Sequence, residues 1–155
     1  MSIIFNDVDT DSDEDFCFTY VHDNPTIDKN WLLLDSQATK HVFANKKLLT
    51  NVCIIEDGIC IYWHVGSRVA TQVERVKGTE DEVWLDEGGI SNILSLKSIH
   101  QHHCVSYNNW AFGNCFMVHK PNDQLVLFKE SSNGLYYHDF KNRAYGNKKK
   151  LTYKT

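Results

Sequence analysis

Proline is close to absent from this chain. There are two prolines in 155 residues, Pro25 and Pro121, and only eight glycines. So little punctuation leaves no room for a Pro- or Gly-rich linker, and no internal repeat of 20 to 50 residues is visible. Paired cysteines are missing as well. Cys17, Cys53, Cys60, Cys104 and Cys115 are odd in number and include no Cys-x-x-Cys pair. That argues against a disulfide framework and points to free thiols in a reducing compartment. No stretch approaches the ~20 apolar residues needed to span a bilayer. Met1-Ser2-Ile3-Ile4-Phe5 is too short for a secretory leader and runs straight into acids. The expectation is a soluble intracellular protein, in the cytoplasm or alternatively the nucleus, with no membrane partner.

The net charge is modest and unevenly placed, with one sign crowding each end. The formal net charge is −4, and Asp7, Asp9, Asp11, Asp13, Glu14 and Asp15 crowd the start. Such a run repels itself and offers little to a core, so residues 1–20 read as an acidic, disordered arm. Lys141, Arg143, Lys148, Lys149, Lys150 and Lys154 make residues 141–155 a basic tail. The arm folding back on the tail is one arrangement; two solvated tails is the plainer one. The tail has no aromatic-interleaved basic patch beside it, so no nucleic-acid partner is expected for this segment.

Helical periodicity is scarce. Leu96 and Ile99 share one helical face with Ser95 as a credible N-cap, and this is the only helix the pattern supports. Elsewhere the pattern is short strands. Val52 to Ile55, Glu56-Asp57-Gly58 and Ile59 to Trp63 read as strand, tight turn, strand, because Asp-Gly between β-branched runs is a hairpin signal. A second turn is expected over His64 to Thr71. Gln72 to Val76, Glu82 to Leu85 and Cys104 to Tyr107 follow as strands. Cys115 to His119 and Gln124 to Phe128 form a hairpin about Pro121-Asn122-Asp123, and Gly134 to His138 adds a third strand. The fold class is therefore mainly all-β, barrel-like or a sandwich.

With 42% hydrophobic residues the chain can bury one core, and one carboxylate stands out against it. Trp31-Leu32-Leu33-Leu34 runs into Asp35, then Ser36-Gln37-Ala38-Thr39. An apolar run of this length reads as a buried strand. An acid at its exit costs free energy unless the site binds or uses it. Asp35 is thus the candidate functional carboxylate; the alternative is a turn or N-cap Asp in an unrelated β domain.

Residues 35–39 resemble the Asp-Ser/Thr-Gly-Ala/Ser-Thr loop of the retropepsins. About thirty residues on comes a glycine-containing hairpin, Trp63 to Thr71, then Asn92-Ile93-Leu94-Ser95 and the short helix. That order is similar to a retropepsin monomer: catalytic loop, flap, then a second loop with its helix. The wording is closest to the protease region of copia-like retrotransposon polyproteins, through Leu34 to Thr39 with His41 and through Gly89 to Leu96. Asn45-Lys46-Lys47-Leu48-Leu49 resembles a segment of some copia-like lineages. His119 to Asp123 and Gly134 to Tyr137 resemble the stretch linking that protease to the pre-integrase region.

The resemblance implies a small closed β-barrel at 28–108 with one short helix, and a β-hairpin or meander extension at 109–140. It implies an aspartic endopeptidase that cuts its own polyprotein as a homodimer and needs no cofactor. Asp35 would be catalytic, one copy per subunit. Ser36 and Thr39 would support the loop, and Trp63, Val65 and Gly66 would form a flap over the peptide. Gln37 stands where the family has Gly, and its added side chain is expected to crowd the paired carboxylates and to weaken or abolish activity. The alternative is a catalytically dead or repurposed domain of the same fold that dimerises or binds peptides; an unrelated small β-barrel interaction module is a third reading.

Other clusters attract plainer readings. His100, His102, His103 and Cys104 lack the paired spacing of structural zinc and sit at a helix end, where cations suit the dipole; no metal is expected. Trp31, Trp84 and Trp110 read as packing residues, with Trp63 the exception because it lies at the expected flap. His41 and His64 read as surface residues, and Asp57 and Asp86 as turn residues.

Overall fold

The apolar run that ends in Asp35 forms the strand β1, Trp31–Asp35, near the centre of a ten-stranded sheet. The computed structural model describes residues 27–63, 66–75, 81–110 and 113–141. The acidic arm, the basic tail beyond Lys141, His64 and Val65 lie outside them. In chain order the further strands are β2 His41–Phe43, β3 Cys53–Trp63, β4 Gly66–Arg75, β5 Glu82–Leu85 and β6 Asn92–Ser95. The helix α1, Leu96–His102, follows, then β7 Cys104–Asn108, β8 Cys115–Lys120, β9 Gln124–Glu130 and β10 Tyr136–Asp139.

Across the sheet the order is β3-β4-β5-β2-β6-β1-β10-β9-β8-β7. The all-β expectation holds, but the closed barrel does not. Strand β1 lies parallel to β6 on one side and antiparallel to β10 on the other. The C-terminal meander β7 to β10 therefore extends the sheet from β1, and the ends at β3 and β7 are not joined to each other. Trp31 stacks on Tyr137 with ring centroids 3.9 Å apart, covering the β1–β10 seam.

The core is split between two clusters, which explains why some strands read as continuous apolar runs. Leu32, Phe43, Val83, Val118 and Phe128 form one cluster. Ala70, Val73 and Trp84 form the other. Successive residues Val83 and Trp84 thus serve different clusters, as the two-residue side-chain period of a strand requires.

The Asp57-Gly58 turn is overturned. Residues 53–63 are one strand, and the register with β4 slips between Ile54 and Ile59. A Cβ at Gly58 would stand 2.4 Å from the Ala70 carbonyl oxygen. The glycine therefore serves a close backbone approach at an irregular point of the ladder instead of a chain reversal. The ladder closes with Trp63 opposite Gly66, whose φ of 147° lies in the range that favours glycine.

The helix begins where its N-cap was expected: Ser95 Oγ accepts from the Ser98 N–H at 3.2 Å. Trp84 is buried, whereas Trp110 is 92% exposed and is not a core residue.

Candidate functional site

Asp35 and Ser95 are the last residues of two parallel neighbours and stand in register across them. The pairing runs Leu32 with Asn92, Leu33 with Ile93, Leu34 with Leu94, and Asp35 with Ser95. Both strands end together, so the loop after β1 and the helix after β6 leave from one place.

The loop is built from its own backbone and from Ser95. Asp35 Oδ1 accepts from the Gln37 N–H at 2.7 Å, an Asx-type turn that folds the chain straight after the strand. Ser95 Oγ donates to the Ala38 carbonyl at 2.6 Å. The Ser95 N–H donates to His41 Nδ1 at 3.0 Å. Asp35 is half-buried, while Ser36, Gln37 and Thr39 are exposed. Among the described non-glycine residues only Asp123 has a positive φ. The loop thus accommodates Gln37 with ordinary backbone geometry and does not require glycine there.

His41 corrects the sequence reading. It is 5% exposed, not a surface residue. Burial pushes its pKa below the ordinary 6.5, Asp81 acts in the opposite sense, and Lys40 adds to the lowering. The signal was in the sequence: β2 alternates, and His41 points with Phe43, which is buried.

Asn92, read in the sequence only as part of the second loop, and Asp86, read as a turn residue, are both buried. Asn92 is fully buried, and its amide bonds to residues distant in the sequence. Its Oδ1 accepts from Ala44 N–H at 3.1 Å and Asn45 N–H at 2.9 Å, and its Nδ2 donates to the carbonyls of Lys29 at 2.8 Å and Trp31 at 2.9 Å. One amide thereby ties the entry of β1, the exit of β2 and the start of β6. Asp86 is 7% exposed and takes Arg68 Nη1 at 3.1 Å and Gly88 N–H at 3.3 Å on Oδ1. Arg68 comes from β4, so this pair fastens the β3–β4 hairpin to the loop after β5.

Of the flap residues, Gly66 is exposed at the head of β4, Trp63 closes β3, and Val65 lies outside the described residues. His102 Nε2 stands 3.4 Å from Asp81 Oδ2. Among the described residues no three His, Cys, Asp or Glu side chains converge to hold a metal ion, and no helix is long and apolar enough to cross a membrane.

No protein-family model, curated protein or solved structure matches the chain.

Proposed function

We propose that this chain is a retropepsin-like aspartic endopeptidase domain of a copia-like retroelement, which processes its own polyprotein as a homodimer. The observation that carries the reading is the register of Asp35 with Ser95 at the ends of parallel β1 and β6. It sets the acid-bearing loop beside the second loop and its helix, in the chain order the sequence resemblance implies. The long β3–β4 hairpin, held by Arg68 to Asp86, is a fitting flap.

On this reading each subunit supplies one Asp35. Two carboxylates brought to ~3 Å cannot both ionise, so they share a proton and titrate as a pair. The ionised one takes a proton from water as that water attacks the scissile carbonyl, and the protonated one polarises the carbonyl oxygen. The Gln37 backbone N–H donates to Asp35 Oδ1 and leaves Oδ2 for chemistry. A flap closing over the peptide excludes water other than the nucleophile.

A second reading, a repurposed domain that dimerises or binds peptide without cutting, is favoured by the exposed Gln37 side chain at the loop tip. The two separate when the chain is expressed with flanking polyprotein. The peptidase reading expects release of the domain from the precursor and an intact precursor for Asp35→Asn. Equal processing of both forms, or of neither, refutes it.

A further inference from the structure

His41 opens β2 at the far end of the loop that leaves β1 at Asp35, and its ring meets the Ser95 backbone. A backbone N–H only donates, so the contact from Ser95 makes His41 Nδ1 the acceptor and leaves the ring proton on Nε2. The restraint passes on through Ser95, whose Oγ donates to the Ala38 carbonyl and accepts from the Ser98 N–H. Residues 36–40 are thus tied down at Asp35 by the β1–β6 ladder, at Ala38 by the Ser95 hydroxyl, and at His41 by its own ring.

We infer that neutral His41 is the positioning residue for the Asp35 loop, and that protonating its ring releases the loop. A proton on Nδ1 would face the Ser95 N–H donor to donor. The amide would lose its acceptor, and an imidazolium would be buried at a site that is 5% exposed. The charges acting on the ring are Lys40, next to it in the chain, and Asp81, ahead of β5. Asp81 is itself engaged by His102 from α1. Burial outweighs the help from Asp81, so the neutral ring persists below the pH at which a free histidine charges.

The restraint stands on geometry alone; its consequence for catalysis rests on the peptidase reading. Under that reading, acid inactivation has a contribution from His41 besides the protonation of the Asp35 pair.

The test is an NMR pH titration of the full chain, following the His41 ring nitrogens and the amides of Ser95 and residues 36–40. The expected result is an Nε2–H tautomer, a His41 midpoint below 6.5, and loop amides that shift and exchange faster with that same midpoint. An Nδ1–H tautomer, or loop amides that stay still while His41 titrates, overturns the inference. His41→Asn keeps an acceptor near Nδ1 and removes the titration, so the coupled shift should vanish. The wild-type titration decides the question even if that variant does not fold. Processing of the flanked precursor is followed across the same pH range. The acid limb should move to lower pH in His41→Asn, and an unmoved limb overturns the catalytic role. A wild-type chain that processes nothing at any pH defeats the peptidase reading, and the titration still decides the switch.

Discussion

Ser95 faces Asp35 across two parallel strands, and its hydroxyl grips the Asp35 loop at the Ala38 carbonyl while capping α1. One buried serine therefore holds the end of the strand, the loop opposite and the helix that follows. Ser95→Ala removes the cap and the loop contact together and should cost about 1–2 kcal/mol of unfolding free energy. Asn92→Ala should cost more, roughly 3 kcal/mol, because it leaves two N–H donors and two carbonyls without their partner. Urea unfolding of both variants checks the order; an Asn92→Ala milder than Ser95→Ala would contradict it.

His41 makes stability depend on pH. Its pKa is lowered on folding, so between the ordinary 6.5 and the lower folded value the unfolded chain binds more protons than the folded one. Its contribution is thus present in full above 6.5 and is lost as pH falls through that window. Thermal melts of the wild type and His41→Asn should differ in slope over this range, with the variant the less acid-sensitive. Parallel curves would count against the buried neutral ring.

Among the described residues, Arg68 is the side-chain partner of the buried Asp86 carboxylate. Arg68→Ala leaves that charge with the Gly88 N–H alone and should cost roughly 1–3 kcal/mol. Gly88→Ala should do part of the same, since a Cβ there would stand 1.6 Å from Arg68 Nη1 and must displace it. The two substitutions should be less than additive in a double-mutant cycle. Full additivity would mean that the pair does not fasten the hairpin.

Gln37→Gly trades order for room. The loop has no left-handed residue at this position, so glycine relieves no backbone strain and should lower stability by about 0.5–1 kcal/mol through the unfolded state. If the Gln37 side chain crowds the carboxylate pair of a dimer, the same variant should process the precursor faster than the wild type. A variant that is less stable and no faster would remove Gln37 as the cause of weak activity.

Much of the sheet was readable because strand alternation and the Ser95 cap are local properties. The misreadings come from non-local ones. Asp57-Gly58 looks like a turn until the Ala70 carbonyl is placed beside Gly58. The barrel stays open because β10, about a hundred residues from β1, takes its free side. Asp35 was visible as an acid ending an apolar run. His41 and Asn92 were not, since a polar residue at a strand start reads as exposed until its partners, Ser95 and the termini of β1 and β2, are brought to it.

The central claim is that the site needs one Asp35 from each of two chains. The most direct measurement mixes wild-type chain with Asp35→Asn at fixed total concentration, lets subunits exchange, and follows cleavage of a polyprotein segment. The account predicts that activity falls as the square of the wild-type fraction, because a mixed dimer carries only one of the two carboxylates. A linear fall, or a wild-type chain that cleaves nothing, would contradict it.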